Sequence, residues 1–368
     1  MGAQQPLSEG GAAGPRLREG PPPGAPWRHP GEGRVEELVL ESRFLEGNRL
    51  GDPHERPLWV YLPPAYEARA EGRFPVIYLL QGMSGQVDMW RARTGLRPTP
   101  LELFDALFSS PGVPPAILVL ADCWTSLGGS QYLDSPATGQ YHSYLCQEVV
   151  PAIDGRYRTL ARHGARALAG KSSGGFGAMV TCLLRPDLFS AFASHAGDAL
   201  FEYCYGPEFP QVVRSLRDEY QGSYQQFWED FRARPALSRP SDSWLLNVYC
   251  MAACYSAEAD GSITLPFEVE TGVLRPEVWE RWQAWDPVRM IPRRQEAARS
   301  LRGAYLDAGR RDEWHLDVGA AAVAAALNRA GQQRVHFELF DGGHLRVEYR
   351  YPLGLRHLLD LLDPAEIP

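Results

Sequence analysis

Along the chain, apolar runs of strand length alternate with segments whose apolar positions recur at helical spacing. Residues 35–40 and 58–62 read as early strands, and Pro63-Pro64 closes the second. Residues 75–80 (PVIYLL) and 116–121 (AILVLA) are short, continuous apolar runs, as expected of strands buried on both faces. Residues 165–169, 192–195, 303–307 and 335–340 continue the strand series. Helices are predicted over 101–108, 141–153, 174–184, 316–329 and 352–362. Such alternation predicts an α/β fold with a mostly parallel central sheet covered by helices on both faces.

The rhythm breaks between about Asp198 and Ile291, a stretch holding Trp228, Trp244, Trp279, Trp282 and Trp285 with many tyrosines and several prolines. It is too apolar for disorder and too irregular to extend the sheet, so it reads as an inserted helical cap. The expected organisation is a core over 34–198 and 292–368, a cap over 199–291, and a disordered Gly/Pro-rich tail over 1–33. That tail cannot bury enough surface to offset its ordering entropy.

Composition narrows the partners. The net charge of -8 over 368 residues argues against a nucleic-acid ligand. The longest apolar runs, such as 320–327, are too short and alanine-rich to span a bilayer. The cysteines (Cys123, Cys146, Cys182, Cys204, Cys250 and Cys254) form no CxxC pair and no His/Cys spacing typical of zinc, so no metal is expected. With no signal-like apolar stretch at the start, they point to a reduced, cytoplasmic setting. Oligomeric state is left open, a homo-oligomer included.

The chemistry concentrates in Ala167–Met179, ALAGKSSGGFGAM, where Gly170-Lys171-Ser172-Ser173-Gly174 satisfies G-x-S-x-G between a strand and a helix of small residues. A nucleophilic serine needs a sharp, strained turn that lifts its hydroxyl above the sheet, and glycines two residues on either side make that turn sterically open. Ser172 has Gly170 and Gly174 in those places; Ser173 has Lys171, the only lysine of the chain. A phosphate loop, G-x-x-x-x-G-K-[ST], is the competing reading. It needs glycine at 165, which is Ala165, and RALA reads as strand rather than as a loop of amide donors.

A serine nucleophile needs a general base and an orienting acid, in the order Ser, Asp/Glu, His on this architecture. His344, in Asp341-Gly342-Gly343-His344 just past a strand, is the candidate base. The candidate acid is Asp312, in the loop after 303–307; Glu313 is a substitute, and Asp312 could instead cap the following helix. Asp198, after the strand at 192–195, is a rival acid. The oxyanion hole would use the amides of Ser173 and of Met83, in Gln81-Gly82-Met83-Ser84-Gly85.

These segments together resemble the esterase D-like family of α/β-hydrolases, which includes S-formylglutathione hydrolases, enterochelin esterases, feruloyl esterases and secreted mycolyltransferases. The resemblance rests on PVIYLLQGMSG, on Gly129-Ser130-Gln131-Tyr132 leading to EVVPAIDGRYR, and on AGKSSGGFGAM, LDAGRRDEW and DGGH. It implies an α/β-hydrolase sheet with Ser172, Asp312 and His344 as triad and Met83 and Ser173 as oxyanion donors. Two features depart from it: Gln81 stands where many relatives carry histidine, and Ser172 and Asp312 are unusually far apart, the excess lying in the tryptophan-rich insertion. The expected activity is cofactor-free hydrolysis of a small-molecule carboxylic ester through an acyl-enzyme. Acyl transfer by the same residues, and a non-catalytic binding module on a hydrolase scaffold, are the alternatives.

Overall fold

Eight strands answer the apolar runs: β1 (Arg34–Glu41), β2 (Glu55–Leu62), β3 (Val76–Leu80), β4 (Ile117–Ala121), β5 (Arg166–Lys171), β6 (Ala191–His195), β7 (Gly303–Gly309) and β8 (Val335–Phe340). The computed structural model describes residues 31–235 and 237–366. The strands form one sheet in the order β1-β2-β4-β3-β5-β6-β7-β8. Only β1–β2 and β2–β4 pair antiparallel; all other neighbours are parallel. Every residue of β3 and β4 is buried, because helices cover both faces.

Alternate residues of a strand feed opposite cores. Tyr78, Leu80 and Val119 pack on one side, facing the helix Ser173–Leu184; Ile77, Leu79 and Leu118 pack on the other with Phe104, Tyr351 and Leu355. The helix Pro100–Phe108 opens on a capping box between Thr99 and Glu102.

Some predicted boundaries move. The strand expected to stop at 169 runs to Lys171, since Gly170 pairs with Leu80 and Lys171 with His195. The strand 303–307 extends to Gly309, and the last helix, Tyr351–Leu359, ends short of 362. The helix predicted over 141–153 is α-helical at Tyr141–Ser143 and Val150–Arg156, with a π-helical stretch over Tyr144–Val149 between them. Most of the predicted tail, residues 1–30, lies outside the described residues. Its last positions are held: the Glu32 and Gly33 amides donate to Asp105 at 3.0 and 2.7 Å.

Between β6 and β7 the chain leaves the sheet for the helices Phe209–Tyr220, Tyr224–Ala233, Asp242–Tyr255 and Pro276–Gln283. Asp286 fastens the two ends of this excursion. Its carboxylate accepts the amides of Leu200 and Phe201 at 3.0 Å each and that of Val288 at 2.9 Å. Trp282 is fully buried against Tyr205, Phe209, Tyr255 and Trp279. Among the described residues no helix is long and apolar enough to cross a membrane.

Candidate active site

The last residues of β5 lead into a turn in which Ser172 has φ 57° and ψ −127°, and the helix Ser173–Leu184 begins at once. Such a backbone costs a non-glycine residue about 1–3 kcal/mol and persists only where its surroundings enforce it. They do: the Ser172 amide donates to the His195 carbonyl at 3.0 Å, and its carbonyl accepts from Phe176 at 2.9 Å. A β-carbon on Gly174 would overlap the Leu80 carbonyl, and one on Gly170 would overlap Gly174. The turn therefore needs both glycines. Lys171 belongs to a strand, not to a phosphate cradle. Burial pushes its ammonium below its ordinary pKa, against the nearby carboxylates of Glu348, Asp312, Asp198 and Glu313.

The other two predicted residues meet each other. His344 Nδ1 stands 2.9 Å from Asp312 Oδ2, both side chains almost wholly buried. The second Asp312 oxygen accepts the amides of Trp314 (2.9 Å) and Leu316 (3.4 Å). Asp312 thus holds the turn that leads into the helix Leu316–Arg329 and faces the imidazole at the same time; the N-cap position of that helix is His315, not Asp312. Glu313 does something else: its carboxylate accepts the His344 backbone amide at 2.6 Å and so fixes the loop, not the ring. The Trp314 indole lies edge-on to the imidazole, centroids 4.8 Å apart.

Asp198 does not pair with His344. Its Oδ2 accepts from Gln131 Nε2 (3.0 Å), the Tyr205 hydroxyl (2.9 Å) and the Ser173 hydroxyl (3.3 Å), while Oδ1 lies 3.5 Å from Ser172 Oγ. The Tyr255 hydroxyl accepts from the same Gln131 nitrogen at 2.8 Å. Burial raises the Asp198 carboxyl above its ordinary pKa, with Gln131, Tyr205, His344 and Ser173 opposing the shift. The Ser172 hydroxyl thus rests toward Asp198, at the long limit of a hydrogen bond. Gln131 lies in a stretch that carries the family resemblance but was given no role from sequence, and Tyr205 and Tyr255 carried no functional signal there.

The loop after β3 comes against the elbow: a β-carbon on Gly82 would touch the Lys171 carbonyl and the Ser172 side chain. Met83 follows, and the Ser84 amide (φ 62°) donates to the Gly128 carbonyl at 2.7 Å. Ser173, first in its helix, carries one of the amides that a helix leaves without an internal partner. Met83 and Ser173 line one small cavity, together with Gly128, Gln131 and Tyr132. Gln81 is occupied. With its amide turned to suit the network, it donates to the Ala121 carbonyl (2.8 Å) and accepts from the Cys123 amide (3.2 Å).

A second buried pair, His195 Nδ1 and Asp307 Oδ1 at 2.7 Å, sits side by side on β6 and β7. Burial alone would raise the Asp307 carboxyl, but His195 and Arg350, whose Nε donates at 2.8 Å, hold it below its ordinary range. Its groups bind β6 and β7 to the Arg350 turn. Among the described residues no three His, Cys, Asp or Glu side chains converge as a metal site.

The chain aligns with known proteins over most of its length. A ferulic acid esterase structure superposes with a TM-score of 0.56 at 20% identity, covering 90% of this chain and 99% of that one. The S-formylglutathione hydrolase of Agrobacterium tumefaciens gives 0.52 at 15% identity, covering 91% and 98%. These likenesses establish the α/β-hydrolase fold. In sequence, an endo-1,4-beta-xylanase/feruloyl esterase of Xylanibacter ruminicola is 29% identical over 143 residues, 38% of this chain and 19% of that protein. The chain spans less than two thirds of the length of the curated relatives it matches. Residues 49–357 match the Esterase family, described as "Putative esterase", and the chain belongs to that family.

Proposed function

We propose that this esterase-family protein is a serine hydrolase that cleaves carboxylic esters of small molecules through an acyl-enzyme, with Ser172, His344 and Asp312 as its triad. One observation carries the reading: a buried Asp312–His344 pair with Nδ1 and Oδ2 2.9 Å apart, in a fold whose elbow serine is held at φ 57°. Asp312 accepts a hydrogen bond from Nδ1–H, which keeps the proton on that nitrogen and leaves Nε2 as the basic one.

In the reaction, Ser172 Oγ rotates from Asp198 toward Nε2, surrenders its proton to His344 and attacks the ester carbonyl. The Met83 and Ser173 amides receive the negative charge that gathers on the carbonyl oxygen. Collapse of the tetrahedral adduct breaks the bond to the alcohol, which leaves with the proton from His344. A water then repeats the sequence on the acyl-enzyme, giving the free acid and restoring the serine. Apo hydrogen bonds at such sites are commonly long and tighten with substrate, consistent with the parked Ser172 hydroxyl.

The helices over 199–291 are read as a cap bounding the substrate pocket. Support comes from Tyr205, which reaches Asp198 beside the elbow and meets the Tyr255 hydroxyl, and from Phe201 and Tyr255, whose rings lie 6.1 and 5.8 Å from Phe176 in the elbow helix. The cysteines are unpaired and buried, which suits a reducing compartment such as the cytoplasm. Turnover of p-nitrophenyl acetate that is lost in Ser172→Ala is the expected behaviour. Undiminished turnover in that variant would overturn the assignment.

A further inference from the structure

Trp314 stands between the Asp312–His344 pair and the helices that interrupt the sheet. Its backbone amide donates to Asp312, and its ring lies edge-on to the imidazole. Its indole Nε1–H points the other way, to Glu208 Oε1 at 3.0 Å. Glu208 ends the short turn Gly206–Glu208, just before the helix Phe209–Tyr220. Its second oxygen accepts from Asn247 Nδ2 at 2.7 Å, in the helix Asp242–Tyr255. A single carboxyl therefore joins two parts of the insertion to the loop that carries the acid.

The link matters because the imidazole is incompletely held by its other partners. Asp312 fixes one ring nitrogen, and Glu313 fixes the backbone of His344. Trp314 lies edge-on against the ring and so limits its rotation about the Nδ1 hydrogen bond. Trp314 is only half-buried, so its own orientation depends on the acceptor at its indole nitrogen. Displacement of a reacting group by about 1 Å can lower a rate by about 100-fold.

We propose that Glu208 is a positioning residue: through Trp314 it ties the inserted helices to His344, so the imidazole is held in its working orientation only while the insertion is docked. The proposal rests on the reading of His344 as general base. Glu208 touches none of the reacting atoms. Its effect belongs on kcat, because binding of the ester does not require an ordered imidazole, whereas proton transfer does.

The test compares wild type, Glu208→Ala, Glu208→Gln and Trp314→Phe. Kinetics on p-nitrophenyl acetate are read beside the indole N–H resonance of Trp314, identified by its loss in Trp314→Phe. Glu208→Ala should lower kcat by about 10–100-fold while KM moves by less than about 3-fold, and should shift the Trp314 resonance. Glu208→Gln keeps an acceptor for the indole and should recover most of the kcat. An unchanged kcat, a change confined to KM, or an unmoved resonance would each overturn the proposal; the KM result would make Glu208 a substrate contact. If wild type hydrolyses no ester, the functional reading fails, and the Trp314 resonance with the His344 Nδ1 proton still decides whether the link exists. Should Glu208→Ala not fold, Trp314→Phe, which removes the indole donor of the link, takes its place: it should lower kcat with KM held, and an unchanged kcat would overturn the proposal.

Discussion

His344 Nδ1 and Asp312 Oδ2 lie 2.9 Å apart although 32 residues separate them in the chain. Asp198, whose Oδ1 lies 3.5 Å from Ser172 Oγ, is turned to Gln131 and Tyr205 instead. The two aspartates are therefore separable by mutation. Asp312→Asn should reduce kcat about 10⁴-fold, because an amide cannot hold the productive imidazole tautomer. Asp198→Asn should cost far less and act chiefly on KM. Steady-state kinetics of both variants at neutral pH check the ranking, and the reverse order would move the acid to Asp198.

The elbow makes a stability prediction. Gly174→Ala places a methyl on the Leu80 carbonyl, a backbone atom that cannot move away cheaply. Overpacking of this kind costs about 1–3 kcal/mol or more. The urea midpoint should fall, with activity falling further because the Ser172 turn is distorted. A variant of wild-type stability would mean that the turn is more plastic than its geometry implies.

Much of this arrangement was legible in the sequence because it is local. A turn between β5 and its helix demands glycine at Gly170 and Gly174, and two loops after consecutive strands fall at the same edge of a parallel sheet. Ser172, Asp312 and His344 were readable on those grounds. What could not be read depends on contacts between distant segments. Gln131 meets Asp198 across 67 residues, and Trp314 meets Glu208 across 106. Glu313 looked like a spare acid, but its role is to hold the His344 amide. Nor could the sequence place the insertion's tryptophans: Trp282 is buried among the insertion's own aromatics, and the indole beside the imidazole is Trp314, outside the insertion.

Glu208 also sets a pH dependence of stability. Burial raises its carboxyl to about 7 in the folded protein, from 4.5; Asp198 adds to the shift, and the Asn247 and Trp314 donors oppose it. Cys204 and Tyr224 also feel its charge. As pH rises from 4.5 toward 7, the unfolded chain releases this proton first, so the folded state loses relative stability over that window and the loss levels off above 7. Glu208→Gln removes this contribution. Its stability relative to wild type should therefore rise across the window by about 1–3 kcal/mol, allowing for partial exposure. Denaturant melts at pH 5, 6, 7 and 8 would show it, at roughly one step per pH unit, and parallel curves would refute it.

Asp286 closes the insertion through three amides, so Asp286→Ala leaves Leu200, Phe201 and Val288 without their acceptor. Buried unsatisfied donors cost about 1–3 kcal/mol each. A drop of at least about 2 kcal/mol is expected, with proteolysis concentrated at the ends of the insertion. Unchanged stability and protection would show that aromatic packing alone holds the segment.

The most direct test of the central claim is covalent labelling. A fluorophosphonate probe should react at one serine per chain, and peptide mapping should place the label on Ser172. The Ser172→Ala variant should lose both labelling and ester hydrolysis, the latter by about 10³–10⁶ in kcat. A label on Ser173 or elsewhere, or ester hydrolysis that survives in Ser172→Ala, would contradict the account.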